Sequence, residues 1–194
     1  MRTPPTTKLM FPGVLGDFIK ATEESTEAHA ACITAHLLVG LGNAIGRGPH
    51  VLVGATRHAL NEFALIVGST SVGRKGDGKN IALTPLLAAD PLWTVASGLS
   101  SGEGLIHHVR DPVFGIDKKT KEEIVVDPGV ADKRLLVVET EFSRVLKMFR
   151  REGNILSNVL RDAFDSVPTL RTLTKNSPVC ATEAHISLVA HSTR

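Results

Sequence analysis

The chain has 194 residues, enough for one domain with a substantial core, and its 42% hydrophobic and 22% charged content is ordinary for a soluble globular protein. A net charge of +2, from 22 basic against 20 acidic residues, excludes a protein that coats nucleic acid by bulk charge, though not a local basic patch. Aromatics make up only 4%, with no Tyr, which argues against base-stacking platforms, and Cys32 and Cys180 suit reduced thiols in a cytoplasmic protein better than a disulfide or zinc site.

The N-terminal MRTPPTTKLMFPG has no long apolar core or cleavage site, so no secretory signal is expected. Residues 12–22 read as a short helix. Residues 26–46 read as a longer one, stopped by Gly46 or Gly48, with Arg47 favouring the C-terminal dipole. Its apolar core, interrupted by His29, His36 and Asn43, is too short to span a bilayer. PHVLVGA (49–55) reads as a strand. EFALIVG (62–68) is a continuous apolar run, the pattern of a strand buried on both faces of a parallel sheet. A glycine-rich loop, a helix at about 78–89 and a short strand at 92–97 follow. In GLSSGEGLIHHVRD (98–111), a turn leads into a helix that a Ser100–Glu103 capping box could open, or whose start could bind an anion or a DNA phosphate. VFGI and EIVV, flanking DKKTKE, predict a projecting hairpin within 112–133. RLLVVETEF (134–142) is an apolar strand ending in carboxylates. Helices are expected at 142–151 and 155–165, a strand at 170–175, and a last apolar strand in AHISLVAHSTR. Alternating strands and helices predict a three-layer α/β fold with a mainly parallel sheet. Residues 1–48 form an N-terminal helical segment and 49–194 the core.

The loop between the EFALIVG strand and its helix, GSTSVGRKGDGKN, has the parts of a phosphate cradle. Its glycines let backbone N–H groups turn inward, and a lysine follows that can reach the β and γ phosphates. Two registers are open. Gly68 and Gly73, followed by Arg74 and Lys75, begin where the strand ends but carry one inserted residue. Gly73 and Gly78, followed directly by Lys79, match the spacing but leave Asn80 where Ser or Thr belongs. The plain alternative is a solvated Gly/Lys turn. LLVVETE weighs against that alternative. A phosphate-loop enzyme places a second apolar strand beside the first, with an acid at its tip that holds Mg²⁺ or polarises water. Glu139 follows LLVV directly, and Glu141 points to the same side if the strand continues.

Taken together, GDFIKATEESTEA, HLLVGLGNAIGRGPH, NEFALIVGSTSVGRKG, SGLSSGEGLIHHVRDP, DPGVADKRLLVVETEF, REGNILSNVLRDAF and LRTLTKNSPVCATEAHISLVAH span nearly all of 14–191. In order, they resemble a P-loop ATPase family of phages, plasmids and integrated elements, often encoded with or fused to primase-polymerase modules and described as helicase-like with a RecA-type core. The family loop resembles G-x-x-x-x-G-R-K-G-[ST]. The resemblance therefore implies Gly68, Ser69, Thr70, Gly73, Arg74, Lys75, Gly76 and Asp77 as nucleotide-binding positions, with Lys75 as the phosphate lysine. It implies ATP and Mg²⁺ as ligands, Asp77 and Glu139 at the metal, and Glu139, Glu141 and the γ-phosphate-sensing position His191 as catalytic.

Three departures stand out. Asp77 replaces Ser or Thr and puts a negative charge beside the triphosphate. DSVPTLRT replaces a Gly-rich turn. The resembling chains continue past the equivalent of His191, so the core is expected to be incomplete. Two other features carry weaker expectations. Arg144, Lys147, Arg150 and Arg151 form a basic helix face, ordinarily solvated but able to meet nucleic acid. Lys175 and Asn176 could face DNA. His107 and His108 face different directions and make poor joint metal ligands.

The expectation is a RecA-like domain that binds Mg·ATP and acts on single-stranded DNA as a homo-oligomer beside a primase-type partner. The alternatives are a non-hydrolysing nucleotide-binding or interaction module of the same fold, and a plain α/β domain.

Overall fold

The computed structural model describes residues 11–68, 74–173 and 179–193. The described chain is mixed α/β, with six helices and four small sheets. Helices α1 (Gly13–Glu23) and α2 (Ala30–Ile45) lead into an antiparallel hairpin, β1 (His50–Val53) and β2 (Thr56–Ala59). Strand β3 (Phe63–Val67), helix α3 (Lys75–Ala89), strand β4 (Thr94–Ala96) and helix α4 (Gly102–His107) follow. A second antiparallel hairpin, β5 (Val113–Ile116) and β6 (Glu123–Asp127), precedes β7 (Arg134–Glu139). Helices α5 (Phe142–Phe149) and α6 (Leu156–Phe164) come next, then the antiparallel pair β8 (Thr169–Arg171) and β9 (Cys180–Thr182), and last β10 (His185–Ser192).

The central sheet is parallel throughout, in the order β3-β10-β7-β4. The last strand is thus inserted between the loop strand and the acidic strand, which sequence reading placed side by side. Strand alternation sorts the core into two faces. Leu135, Val137, Ile186, Leu188 and Ala190 pack with Leu105 and Ile106 of α4, Val145 of α5 and Leu156, Val159 and Leu160 of α6. Leu136, Val138 and Val189 pack with Val39 of α2, Leu83 of α3 and Trp93. These are the three layers that the α/β pattern anticipates.

Several expectations change in detail. EFALIVG is an edge strand, with Leu65 and Val67 more than half exposed at 54% and 51%. The reason is pairing: β10 covers one side of β3, and no described strand covers the other. The doubly buried runs are β7 and β10 instead. PHVLVGA contributes only to the solvated β1–β2 hairpin, which turns at Gly54 with φ +59°. The expected boundary at residue 48 falls between α2 and β1, and α2 itself packs on α3 and the sheet. Helix α4 is capped one residue later than expected: the Ser101 hydroxyl, not that of Ser100, accepts from the Gly104 N–H at 3.1 Å. The DKKTKE hairpin forms as expected. Among the described residues, no helix is long and apolar enough to cross a membrane.

A polar side chain fixes α2 on the sheet. Asn43 is fully buried. Its amide nitrogen lies 3.2 Å from Leu135 O, 2.9 Å from His185 O and 3.1 Å from Ser187 Oγ, and its oxygen accepts from Trp93 Nε1 at 2.8 Å. One residue therefore ties α2 to β7, to β10 and to the segment entering β4. Removing it would strand the indole N–H in an apolar core, and a buried donor without a partner costs about 1–3 kcal/mol. Asn43→Ala is expected to lower unfolding free energy by about 3 kcal/mol, read by urea titration of Trp93 fluorescence. An unchanged midpoint would refute this role.

Candidate functional site

The carboxyl ends of β10 and β7 and the first turn of α3 open on one cleft of about 560 Å³, with the end of β3 paired alongside β10. Its walls include Arg74, Lys75, Gly76 and Asp77 at the start of α3, Thr140 to Ser143 after β7, and His191 to Thr193 at the end of β10. Crevices beyond the carboxyl ends of parallel strands are where such sheets bind ligands.

The loop side is built around the first turn of α3. Arg74 begins the helix in a left-handed conformation, φ 38° and ψ 36°, and offers no side-chain cap. Among the described residues, no side chain caps the first N–H groups of α3, in the part of the helix that favours anions. The Lys75 ammonium donates to Gly68 O, just after β3, at 2.8 Å. Lys79, one turn later, lines a separate pocket with Asn80, Thr84 and Thr140. The structure thus places Lys75, and not Lys79, at the cleft. Gly78 lets this turn lie close to α2, since a Cβ there would meet Cys32 Sγ at 2.9 Å. Ser69, Thr70 and Gly73 lie outside the described residues, as do Lys175 and Asn176.

Asp77 has a partner that the sequence does not signal. The Thr26 hydroxyl, from the turn between α1 and α2, donates to Asp77 Oδ2. Beside it, Arg74 pairs with Glu27 at 2.6 Å. Asp77 also stands in the first turn of α3, where the helix dipole favours a negative charge whatever its other role.

The two strand-end carboxylates part company. Strand β7 stops at Glu139, so the alternation that would align Glu141 with it ends there. Glu139 pairs in register with Ala190, on the α4–α6 side of the sheet. Its Oε1 accepts from the Gly98 and Leu99 N–H groups, each at 2.6 Å, and its Oε2 lies 3.6 Å from Arg144. Glu139 is only 2% exposed, and this pair of amides is what its burial requires. Gly98, at φ +94°, makes the turn that presents them. Glu141 begins α5, lines the cleft, and accepts from Ser143 Oγ at 3.1 Å.

His191 reaches the cleft from the opposite face of the sheet to Glu139. It is 2% exposed, and its Nε2 lies 2.8 Å from Nε2 of His36, a fully buried residue of α2. The rings meet edge to face. Burial first, then the adjoining His36 ring and the charges of Lys75 and Lys79, pushes the His191 imidazole down to about 4. Burial, assisted by Lys79, also holds His36 below its ordinary value despite a hydrogen bond to a backbone carbonyl. Sequence reading took His36 only as a break in an apolar helix. A histidine on a buried helix face does not name its partner 155 residues away.

A scan against protein-family models finds no match, and a search of curated proteins finds none. Among the described residues, no group of three or more His, Cys, Asp or Glu is placed to hold a metal by itself.

Two outcomes are expected. Glu139→Ala should cost about 3 kcal/mol of stability by leaving two amides unpaired, whereas Glu141→Ala should leave stability within about 0.5 kcal/mol. Urea midpoints distinguish the two, and equal midpoints would contradict the assignment. Second, the folded state keeps His36, His185 and His191 neutral below the 6.5 at which an unperturbed imidazole titrates. The unfolded chain then binds protons that the folded chain refuses, so stability falls as pH drops through 6.5 towards the His191 value of about 4. The melting temperature should decline over that window, and less steeply in His191→Gln. A flat profile would contradict the buried, neutral state.

Proposed function

We propose that the cleft binds a nucleoside triphosphate, ATP in the first instance, and that the chain is a RecA-like P-loop NTPase domain of a DNA-replication or helicase-like protein. The observation that carries this reading is Lys75: its ammonium donates to Gly68 O beside the start of α3, which no described side chain caps, at the carboxyl end of a parallel sheet. A triphosphate entering there would take the lysine from that carbonyl and accept from the backbone N–H groups of the first turn. Arg74 adds a second cation at the rim.

The oxygen donors around the cleft suit Mg²⁺, which prefers carboxylate, hydroxyl and phosphate oxygens. Asp77 and Glu141 would hold the ion, with Ser143 supporting Glu141. Bound there, Mg²⁺ would offset charge on the phosphate oxygens. In this reading Glu141 would orient a water and His191 would meet the terminal phosphate, since both line the cleft. Glu139, expected at the metal, serves this reading better by fixing the loop after β4. DNA, a primase-type partner and a homo-oligomer belong to the proposal through the resemblance and the basic face Arg144, Lys147, Arg150 and Arg151.

A second reading, nucleotide binding without turnover, is favoured by two observations. Glu139 is tied to the Gly98 and Leu99 amides, and Asp77 to Thr26.

Calorimetric titration with MgATP tests the first reading. Lys75→Ala should weaken binding about 10- to 100-fold, the cost of one charge-assisted hydrogen bond, and Lys79→Ala by less than about threefold. No binding by the intact chain, or a larger loss in Lys79→Ala, would overturn the assignment. Phosphate release stimulated by single-stranded DNA would then separate turnover from binding alone.

A further inference from the structure

His36 and His191 form a buried pair whose proton positions follow from the neighbouring groups. His36 Nδ1 lies 2.8 Å from Cys32 O. A carbonyl oxygen only accepts, so His36 carries its proton on Nδ1 and presents a lone pair at Nε2. The 2.8 Å contact between the two Nε2 atoms then requires that His191 donate from its Nε2. In a neutral ring this leaves His191 Nδ1 unprotonated, and among the described residues it has no hydrogen-bond partner. His191 lines the cleft with Lys75, Asp77 and Glu141. A neutral His191 held in this way has a lone pair, not a donor, at its remaining ring nitrogen.

We propose that His36 is a positioning residue that locks His191 in the Nε2–H form, so that the cleft admits a phosphate-bearing anion with uptake of one proton at His191 Nδ1. The inference rests on the anion-binding reading of the cleft. An unprotonated Nδ1 facing a phosphate oxygen sets lone pair against lone pair. Protonation turns that contact into a charge-assisted hydrogen bond while the bond to His36 is kept. The balance is simple: one solvent proton is bound, and no covalent bond forms or breaks.

The surrounding charges agree with this. From α3, the charges of Lys75 in the cleft and of Lys79 outside it oppose protonation of the histidine. From α2 come His36 and the Cys32 thiol, the latter 3.8 Å from His36 Nδ1. Strand β3 offers only apolar Ile66 and Val67 opposite the end of β10. Across the cleft stand Arg74, Asp77 and Glu141. An arriving polyanion would offset the charge of Lys75 and favour protonation of His191. Phosphate binding and protonation of His191 are therefore linked, and each favours the other.

Long-range ¹H–¹⁵N spectra of the histidine rings test the lock without any ligand. His191 should show an unprotonated Nδ1 and a protonated Nε2, and His36 the reverse, unchanged from about pH 8 to about pH 5.5. Calorimetry with inorganic pyrophosphate, and separately with MgATP, in buffers of different ionisation heat then counts protons. The ligand's own proton exchange is common to all proteins and cancels. The wild type should take up close to one proton more than His191→Gln or His36→Leu, and its affinity should rise up to about tenfold more than theirs per unit fall in pH. His191 bearing Nδ1–H in the unliganded protein, or equal proton uptake in all three proteins, overturns the proposal. Should His36→Leu fail to fold, the wild-type spectra and His191→Gln still decide. Pyrophosphate bound with proton uptake but MgATP unbound would remove the nucleotide reading and leave the coupling standing. No binding of either ligand would overturn both, whatever the tautomer.

Discussion

The fold depends on where β10 lies. It pairs in parallel with β3 on one side, from Leu188 to Ser192, and with β7 on the other, from His185 to Ala190. It is buried from His185 to His191. Its backbone is satisfied by both neighbours, and its side chains supply both layers of the core: Ile186, Leu188 and Ala190 to one, Val189 to the other. Without this strand, β3 and β7 would share no neighbour, and the start of α3 and the acidic end of β7 would not face a common space. The cleft is a consequence of strand order.

The same strand carries polar side chains into the layer that α2 covers. Ser187 meets Asn43 and His191 meets His36, so α2 is held to the sheet by specific hydrogen bonds as well as by Val39. Buried polar groups tolerate only registers in which each finds its partner, whereas apolar contacts tolerate small slips. On this account α2 contributes directly to the site, by setting the state of a histidine at the end of β10. The turn before α2 contributes too, through Thr26 and Glu27 at the start of α3.

Much of this was legible in the sequence, and the rest fails for identifiable reasons. Long periodic helices and the apolar runs of β7 and β10 declare themselves, because burial on both faces leaves no other composition. EFALIVG has the same composition, yet forms an edge. Apolarity reports that side chains seek a core, not how many strands lie beside them. PHVLVGA misled for a related reason: its β-forming residues are satisfied by a local hairpin, in which Val51, Leu52 and Val53 stay exposed. Lys75 and Lys79 both stand as candidates in the sequence, because nothing local shows that one lines the cleft with His191 and the other a separate pocket. Glu139 and Glu141 were readable as a pair but not as separate roles, since their parting depends on β7 stopping between them. His36 and Thr26 were invisible because each is defined by a partner far along the chain.

The central claim is that the ends of β7 and β10 and the first turn of α3 form one anion-binding cleft. Hydrogen–deuterium exchange of the full chain, with and without MgATP, tests it most directly, because it reports where a ligand sits without presuming a residue. The account predicts slowed exchange at Gly68 and at the first turn of α3, at Thr140 to Ser143 and at His191 to Thr193, with the β1–β2 and β5–β6 hairpins unchanged. Protection confined to the hairpins or to the α4–α6 face, or no change at saturating nucleotide, would contradict it.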